Sequence, residues 1–190
     1  VLGVGLGGLI ILNLLEKTEL PIEGILLFSP MLELKRDYKG RKNKLISNVG
    51  KISKDTRFKV GITPQDLTRN DEIIEETAND GLMLKKVTYS WYNLINEKMK
   101  ETMDHIRDIK PISALIMYGT NDKILETQSI NEMKDKLKSK EMYFKVWDGL
   151  YHEIHNEPER DLVMRYVLSF LNNSVNTMGF IVNEEEIEDI

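Results

Sequence analysis

Three short stretches of this chain carry residue types that could do chemistry. The first is Gly3-Val4-Gly5-Leu6-Gly7-Gly8, with the apolar pair Val1-Leu2 before it and the run Leu9-Ile10-Ile11-Leu12 after it. The second is Gly119-Thr120-Asn121-Asp122, and the third is Asp148-Gly149-Leu150-Tyr151-His152. A glycine turn between a strand and a helix can cradle a pyrophosphate on the helix N-terminus, or it can hold a nucleophile above the end of a sheet. This turn fits G-x-G-x-x-G through Gly3, Gly5 and Gly8. It also fits the frame of G-x-S-x-G through Gly3 and Gly7, with Gly5 where that pattern has its serine. An acid and a histidine suit the other two roles of a nucleophilic triad: the acid orients the imidazole, and the imidazole takes the proton. Taken singly, Asn-Asp after a strand is ordinary turn chemistry and a loop histidine is ordinary surface. Their order and placement join them.

Periodicity supplies that placement. The turn at 3–8 passes into a helix expected to about Lys17, with Leu9, Leu12, Ile10 and Leu14 at helical spacing, and Leu20-Pro21 breaks it. The near-continuous apolar run Ile22 to Phe28 predicts a strand buried on both faces of a parallel sheet, ended by Ser29-Pro30. Ile112 to Tyr118 predicts another. Glu126 to Lys138 predicts an amphipathic helix, Met142 to Trp147 a strand near a sheet edge, and Pro158 to Leu171 a closing helix. The middle third breaks this rhythm. Helices are expected around 71–77 and 85–107, the second presenting Val87, Trp91, Leu94, Ile95 and Met99 on one face. It reads as an insertion over the sheet.

The result is an α/β protein with a mostly parallel sheet. In such a sheet, ligands and reacting groups gather outside the carboxyl ends of the strands. The glycine turn, Asp122 and His152 all fall at such ends, in the chain order nucleophile position, acid, base. One helix and one strand lie between Asp122 and His152, which sets them on adjacent strands within hydrogen-bonding reach.

Composition narrows the setting. The chain has 190 residues, 41% of them hydrophobic and 30% charged, enough for one domain with a real core and an insertion. The absence of cysteine excludes disulfides, thiolate zinc sites and a cysteine nucleophile, and suits a reducing compartment. A net charge of −5 argues against a general nucleic-acid binder. No apolar run reaches membrane-spanning length. The expected location is cytoplasmic, with peripheral membrane association as an option. Charge is unevenly spread: Lys35 to Lys59 holds ten Lys and Arg against Asp37 and Asp55, whereas Glu184 to Asp189 is nearly all acidic. The first residue is Val, inside an apparent strand end, so a fragment with further N-terminal sequence is expected.

A dinucleotide fingerprint requires an acid about 20 residues on, at the end of the second strand, to hold ribose hydroxyls. Here that strand ends Leu26-Leu27-Phe28-Ser29-Pro30, and Glu23 sits at its other end. The nucleotide alternative is correspondingly weak.

From Val1 to about Leu171 the sequence resembles the monoacylglycerol lipase and lysophospholipase group of α/β-hydrolases, the serine aminopeptidase-like hydrolase 4 set. Gly3 to Gly8 lies over that family's G-H-S-M-G-G, and Ser29-Pro30 follows the next strand as it often does there. Leu67-Thr68-Arg69-Asn70-Asp71-Glu72 and Asn79-Asp80-Gly81-Leu82 look like the family's cap segments L-S-R-D-P-E and N-D-P-L. Gly119 to Asp122 matches G-x-x-D, and Gly149, His152 and Glu157 match the base segment with its following glutamate.

The resemblance implies the C-terminal part of an α/β-hydrolase fold: core at 1–33 and 108–172, a helical cap at 34–107, and an acidic tail at 173–190. It implies hydrolysis of a monoacylglycerol or lysophospholipid ester, with Asp122 as acid, His152 as base and the Leu6 backbone N–H as an oxyanion donor. No metal or cofactor is implied. A lipid ester is the implied substrate or ligand, with membrane contact through the cap, where Trp91, Leu94 and Met99 could cover an acyl chain and Lys35–Lys59 could meet anionic headgroups. The departure is Gly5, which replaces the family's serine. Ser29 and Ser113 are poor substitutes, one on the wrong strand and one at the wrong end of a strand. Two outcomes stay open: a hydrolase whose serine has been lost, or a pseudoenzyme that keeps the pocket and binds a lipid or a protein.

Overall fold

The computed structural model describes residues 1–35 and 55–172. The basic stretch is therefore described only at its two ends, and the acidic tail lies outside the described residues. The main sheet has the order β1-β2-β5-β6 and is parallel throughout. Its strands are β1 (Leu2–Val4), β2 (Gly24–Phe28), β5 (Ser113–Gly119) and β6 (Met142–Trp147). The α/β class expected from the apolar runs is the one observed, and β6 lies at one end of the strand order.

The two inner strands bury both faces, as their unbroken apolar runs require. Ile25, Leu27, Ala114 and Ile116 point to one side, with Leu9 and Leu12 of α1 (Leu6–Leu15). Leu26, Phe28, Leu115 and Met117 point to the other, against Val163 and Val167 of the C-terminal helix (Arg160–Leu171). Each fully buried side chain of this size contributes roughly 1.5–3 kcal/mol.

Residues 57–105 form a separate group. Strands β3 (Arg57–Lys59) and β4 (Lys86–Thr88) pair antiparallel with one another, apart from the main sheet. Helix α2 (Pro64–Leu67) starts with a capping box between Thr63 and Asp66 and has proline in its first turn. Helix α3 (Asp71–Asn79) is capped by Asn70, and α4 (Tyr89–His105) by Thr88. Helix α4 docks on α1 through Asn13 Nδ2 donating to Thr102 Oγ1 (3.1 Å) and Lys17 paired with Glu101 (2.8 Å).

The single helix expected over 85–107 is thus a strand followed by a helix. Val87 pairs with Phe58 in the small sheet, and Thr88 caps the helix that begins after it. Counting from Tyr89, the buried positions are Tyr92, Met99 and Thr102, while Trp91 and Leu94 are 36% and 48% exposed. The expected shared face is corrected accordingly: Trp91 and Leu94 point away from the core. Strand β3 and helix α2 were not legible, because Arg57-Phe58-Lys59 holds one apolar residue, too few to establish a period, and Gly61 to Pro64 reads as punctuation. The remaining helices, α5 (Thr127–Lys136) and α6 (Arg160–Leu171), lie within the expected ranges, with α6 starting after Pro158.

Candidate active site

Four loops meet at the carboxyl ends of β1, β2, β5 and β6. Gly5 follows β1 directly. Its N–H donates to Phe28 O (2.9 Å), and its carbonyl accepts from Met31 N (2.9 Å) and Gly8 N (3.0 Å). Its backbone lies at φ 50°, ψ −114°, a conformation that side chains rarely adopt. A β-carbon built at this position would stand 3.0 Å from His152 Nε2 and 3.6 Å from Cε1. Leu6 comes next, as the first residue of α1.

Asp122 is fully buried. Its Oδ1 accepts from the N–H groups of Ile124 (2.8 Å) and Leu125 (2.9 Å), so the turn after β5 holds the carboxyl group by its own backbone. Its Oδ2 lies 2.8 Å from His152 Nδ1, and the imidazole is buried as well. Against a carboxylate oxygen Nδ1 is the donor, which leaves Nε2 as the acceptor facing Gly5. The closeness of the two loops has a steric basis at Gly119. A β-carbon there would fall 2.2 Å from Leu150 O, so the histidine loop rests directly on the last residue of β5. Asn121 N completes the contact by donating to Leu150 O (3.0 Å).

Other residues brace the same loops. Ser29 is buried, has φ 42°, and donates its hydroxyl to His152 O at 2.8 Å. Ser113 stands at the opposite end of its strand, level with Gly24. Lys35 Nζ donates to Asp122 O, and Leu34 bridges to Leu125. On the other loop, Leu67 O accepts from Glu153 N (2.8 Å), and Thr68 Oγ1 donates to Asn156 O (2.8 Å). Arg69 pairs with Glu157 (2.7 Å) and Glu159 (2.6 Å). Sequence patterns did not reveal the roles of Ser29 and Lys35, because both act through single contacts to backbone carbonyls across the chain. Among the described residues no cluster of His, Asp and Glu is arranged to hold a metal ion.

Comparison with known proteins places this geometry in context. Phospholipase YtpA of Bacillus subtilis is 27% identical over 176 residues, covering 92% of this chain and 68% of that protein. A monoacylglycerol lipase of Mycolicibacterium smegmatis is 35% identical over 57 residues, covering 30% of this chain and 20% of its own length. The crystal structure of a monoacylglycerol lipase from Paleococcus ferrophilus superposes with a TM-score of 0.81 at 22% identity, covering 92% of this chain and 68% of the other. A soluble variant of monoglyceride lipase from Saccharomyces cerevisiae gives 0.79 at 18% identity, covering 92% and 61%. These structural likenesses establish the α/β-hydrolase fold. The serine aminopeptidase S33 profile of the hydrolase 4 family matches residues 1–159, a span that runs from the glycine turn through the loops of Asp122 and His152. The chain therefore belongs to the serine aminopeptidase S33 (hydrolase 4) family of lipase-like α/β-hydrolases.

Proposed function

We propose that Gly5, Leu6, Asp122 and His152 are the site of an acyl-ester hydrolase of the monoacylglycerol or lysophospholipid type, lacking its nucleophile in the sequence as written. In this reading residues 34–107 are its cap. The observation that carries it is the relation between Gly5 and His152: a turn at φ 50°, ψ −114° whose missing side chain would meet Nε2. Lipid esters are the substrate class because the relatives described above are named as a phospholipase and monoacylglycerol lipases.

With a hydroxyl at position 5, His152 Nε2 would take its proton as the oxygen attacks the ester carbonyl. Asp122 would hold the imidazole and balance the charge it gains. The Leu6 N–H would donate to the carbonyl oxygen as it becomes an oxyanion. His152 would return the proton to the leaving alcohol, and water would release the acid in a second round. With glycine there is no atom to attack. Loss of such a nucleophile costs on the order of a million-fold in rate, or roughly 8 kcal/mol of barrier.

The test is hydrolysis of a monoacylglycerol by the full-length chain as written and with Gly5→Ser. Turnover by the serine form alone supports the proposal. If both are folded and inert, the pocket serves binding of a lipid or a protein.

A membrane-facing cap fits a second observation. Leu82 and Leu84 are 90% and 69% exposed, next to Lys85 and Lys86. Anionic membrane surfaces favour such a pairing of apolar and basic side chains. Salt-sensitive sedimentation with anionic liposomes is the expected result; equal binding to neutral liposomes would contradict it.

A further inference from the structure

We infer that Glu157 and Arg69 act as a positioning pair for His152, coupling the segment 67–69 to the imidazole. The inference rests on the proposed role of His152 as the base.

Three features of the histidine are fixed from different directions. Asp122 holds its ring at Nδ1, and Ser29 holds its carbonyl. The residue immediately before it is held through its N–H by Glu157, whose Oε1 accepts from Tyr151 N at 2.8 Å. The other oxygen of the same carboxylate, Oε2, accepts from Arg69 Nε at 2.7 Å, and the guanidinium extends to Glu159 Oε2 at 2.6 Å. The Glu157 side chain is 0% exposed. A buried carboxylate is costly unless charge and hydrogen bonds compensate it, and here both come from defined partners. Thr68, itself buried, and Leu67 add the two backbone contacts to Asn156 and Glu153, so segment 67–69 follows the base loop for its whole length.

A structural ion pair would account for these contacts without reference to chemistry. The positioning role follows from tolerance at the other end of the imidazole. A β-carbon at position 5 would already lie 3.0 Å from Nε2, so tenths of an ångström in the backbone leading from Tyr151 into His152 decide whether nucleophile and base meet in hydrogen-bond geometry. Displacement by about 1 Å from a change away from the chemistry lowers rates by on the order of 100-fold.

Two measurements on the full chain test this. In the Gly5→Ser form, Glu157→Ala is expected to lower kcat on a monoacylglycerol by about 100-fold with KM changed by less than about threefold. Glu157→Gln, which keeps an oxygen for the Tyr151 N–H, is expected to restore most of that loss. In the original Gly5 form, NMR of the His152 Nδ1 proton is expected to show a shifted or broadened resonance in Glu157→Ala and a near-native one in Glu157→Gln. A folded Glu157→Ala protein with a native His152 resonance would overturn the inference, as would an unchanged kcat. Should Glu157→Ala fail to fold, Arg69→Lys is decided by the same two readouts, with a shifted resonance in support and a native one against. Should the Gly5→Ser form with Glu157 intact be inert, the hydrolase proposal fails, while the NMR measurement on the Gly5 form still decides the positioning role.

Discussion

The imidazole of His152 faces Gly5 of the glycine turn: a β-carbon there would lie 3.0 Å from Nε2. In the proposed site the turn is a nucleophile elbow with only a hydrogen where the side chain would stand. Glycine also spares the chain the strain of φ 50°, ψ −114°. Gly5→Ala should consequently destabilise the protein by about 1–3 kcal/mol, read from chemical denaturation. Part of that loss should disappear in the His152→Ala background, where the close contact is gone and only the backbone strain remains.

The contact of Gly119 with Leu150 makes a second prediction. A methyl group at position 119 cannot be placed 2.2 Å from a carbonyl oxygen, and neither neighbour is a flexible side chain. Gly119→Ala should cost about 3 kcal/mol in a denaturation experiment. It should also displace the loop that carries His152. Loss of the Nδ1 proton resonance in a still-folded variant would register that displacement directly.

Ser29 offers a milder perturbation of the same loop. Ser29→Ala removes the hydrogen bond to His152 O and should cost about 1 kcal/mol of stability. In the Gly5→Ser form it should lower kcat more than it raises KM, because in the proposed site the loop it braces carries the base.

Acid should weaken the fold through two groups. Burial lowers the pKa of His155 below its ordinary 6.5, and its Nδ1 is buried with no hydrogen-bond partner among the described residues. The unfolded chain takes up this proton first, so the stability it contributes is complete above pH 6.5. That contribution declines as pH falls from there through the folded value. His155→Gln should flatten the decline below its ordinary 6.5. At lower pH, Glu101 is held at about 2 by Lys17 and then Lys98. Its contribution, present above its ordinary 4.5, is lost as pH falls through about 2. Urea melts of Glu101→Gln against the parent across this range would show it.

The parallel sheet was legible because β2 and β5 are buried on both faces and so read as unbroken apolar runs. Asp122 and His152 were legible for a related reason: each follows a strand that the pattern identifies, and chain order then places the two loops side by side. The small sheet was hidden, since Arg57 and Lys59 flank a single apolar residue and Val87 also fits a helical period with Trp91 and Leu94. The contacts of Ser29 with His152 O and of Lys35 with Asp122 O were hidden as well. A side chain that bonds to a distant backbone carbonyl leaves no spacing in the sequence to find. The Arg69–Glu157 pair lay between these cases: both residues stood in segments that looked like family motifs, but the 88 positions separating them gave no sign that they meet.

The most direct test of the account is covalent labelling of the full-length chain by a fluorophosphonate, with Gly5, Gly5→Ser and Gly5→Ser/His152→Ala compared under identical conditions. The expected result is no labelling of the Gly5 form, labelling of Gly5→Ser at position 5 by peptide mass, and labelling slowed by at least about 100-fold when His152 is removed. A folded Gly5→Ser protein that resists the probe, or one that labels equally fast without His152, would contradict the assignment of these residues to one hydrolase site.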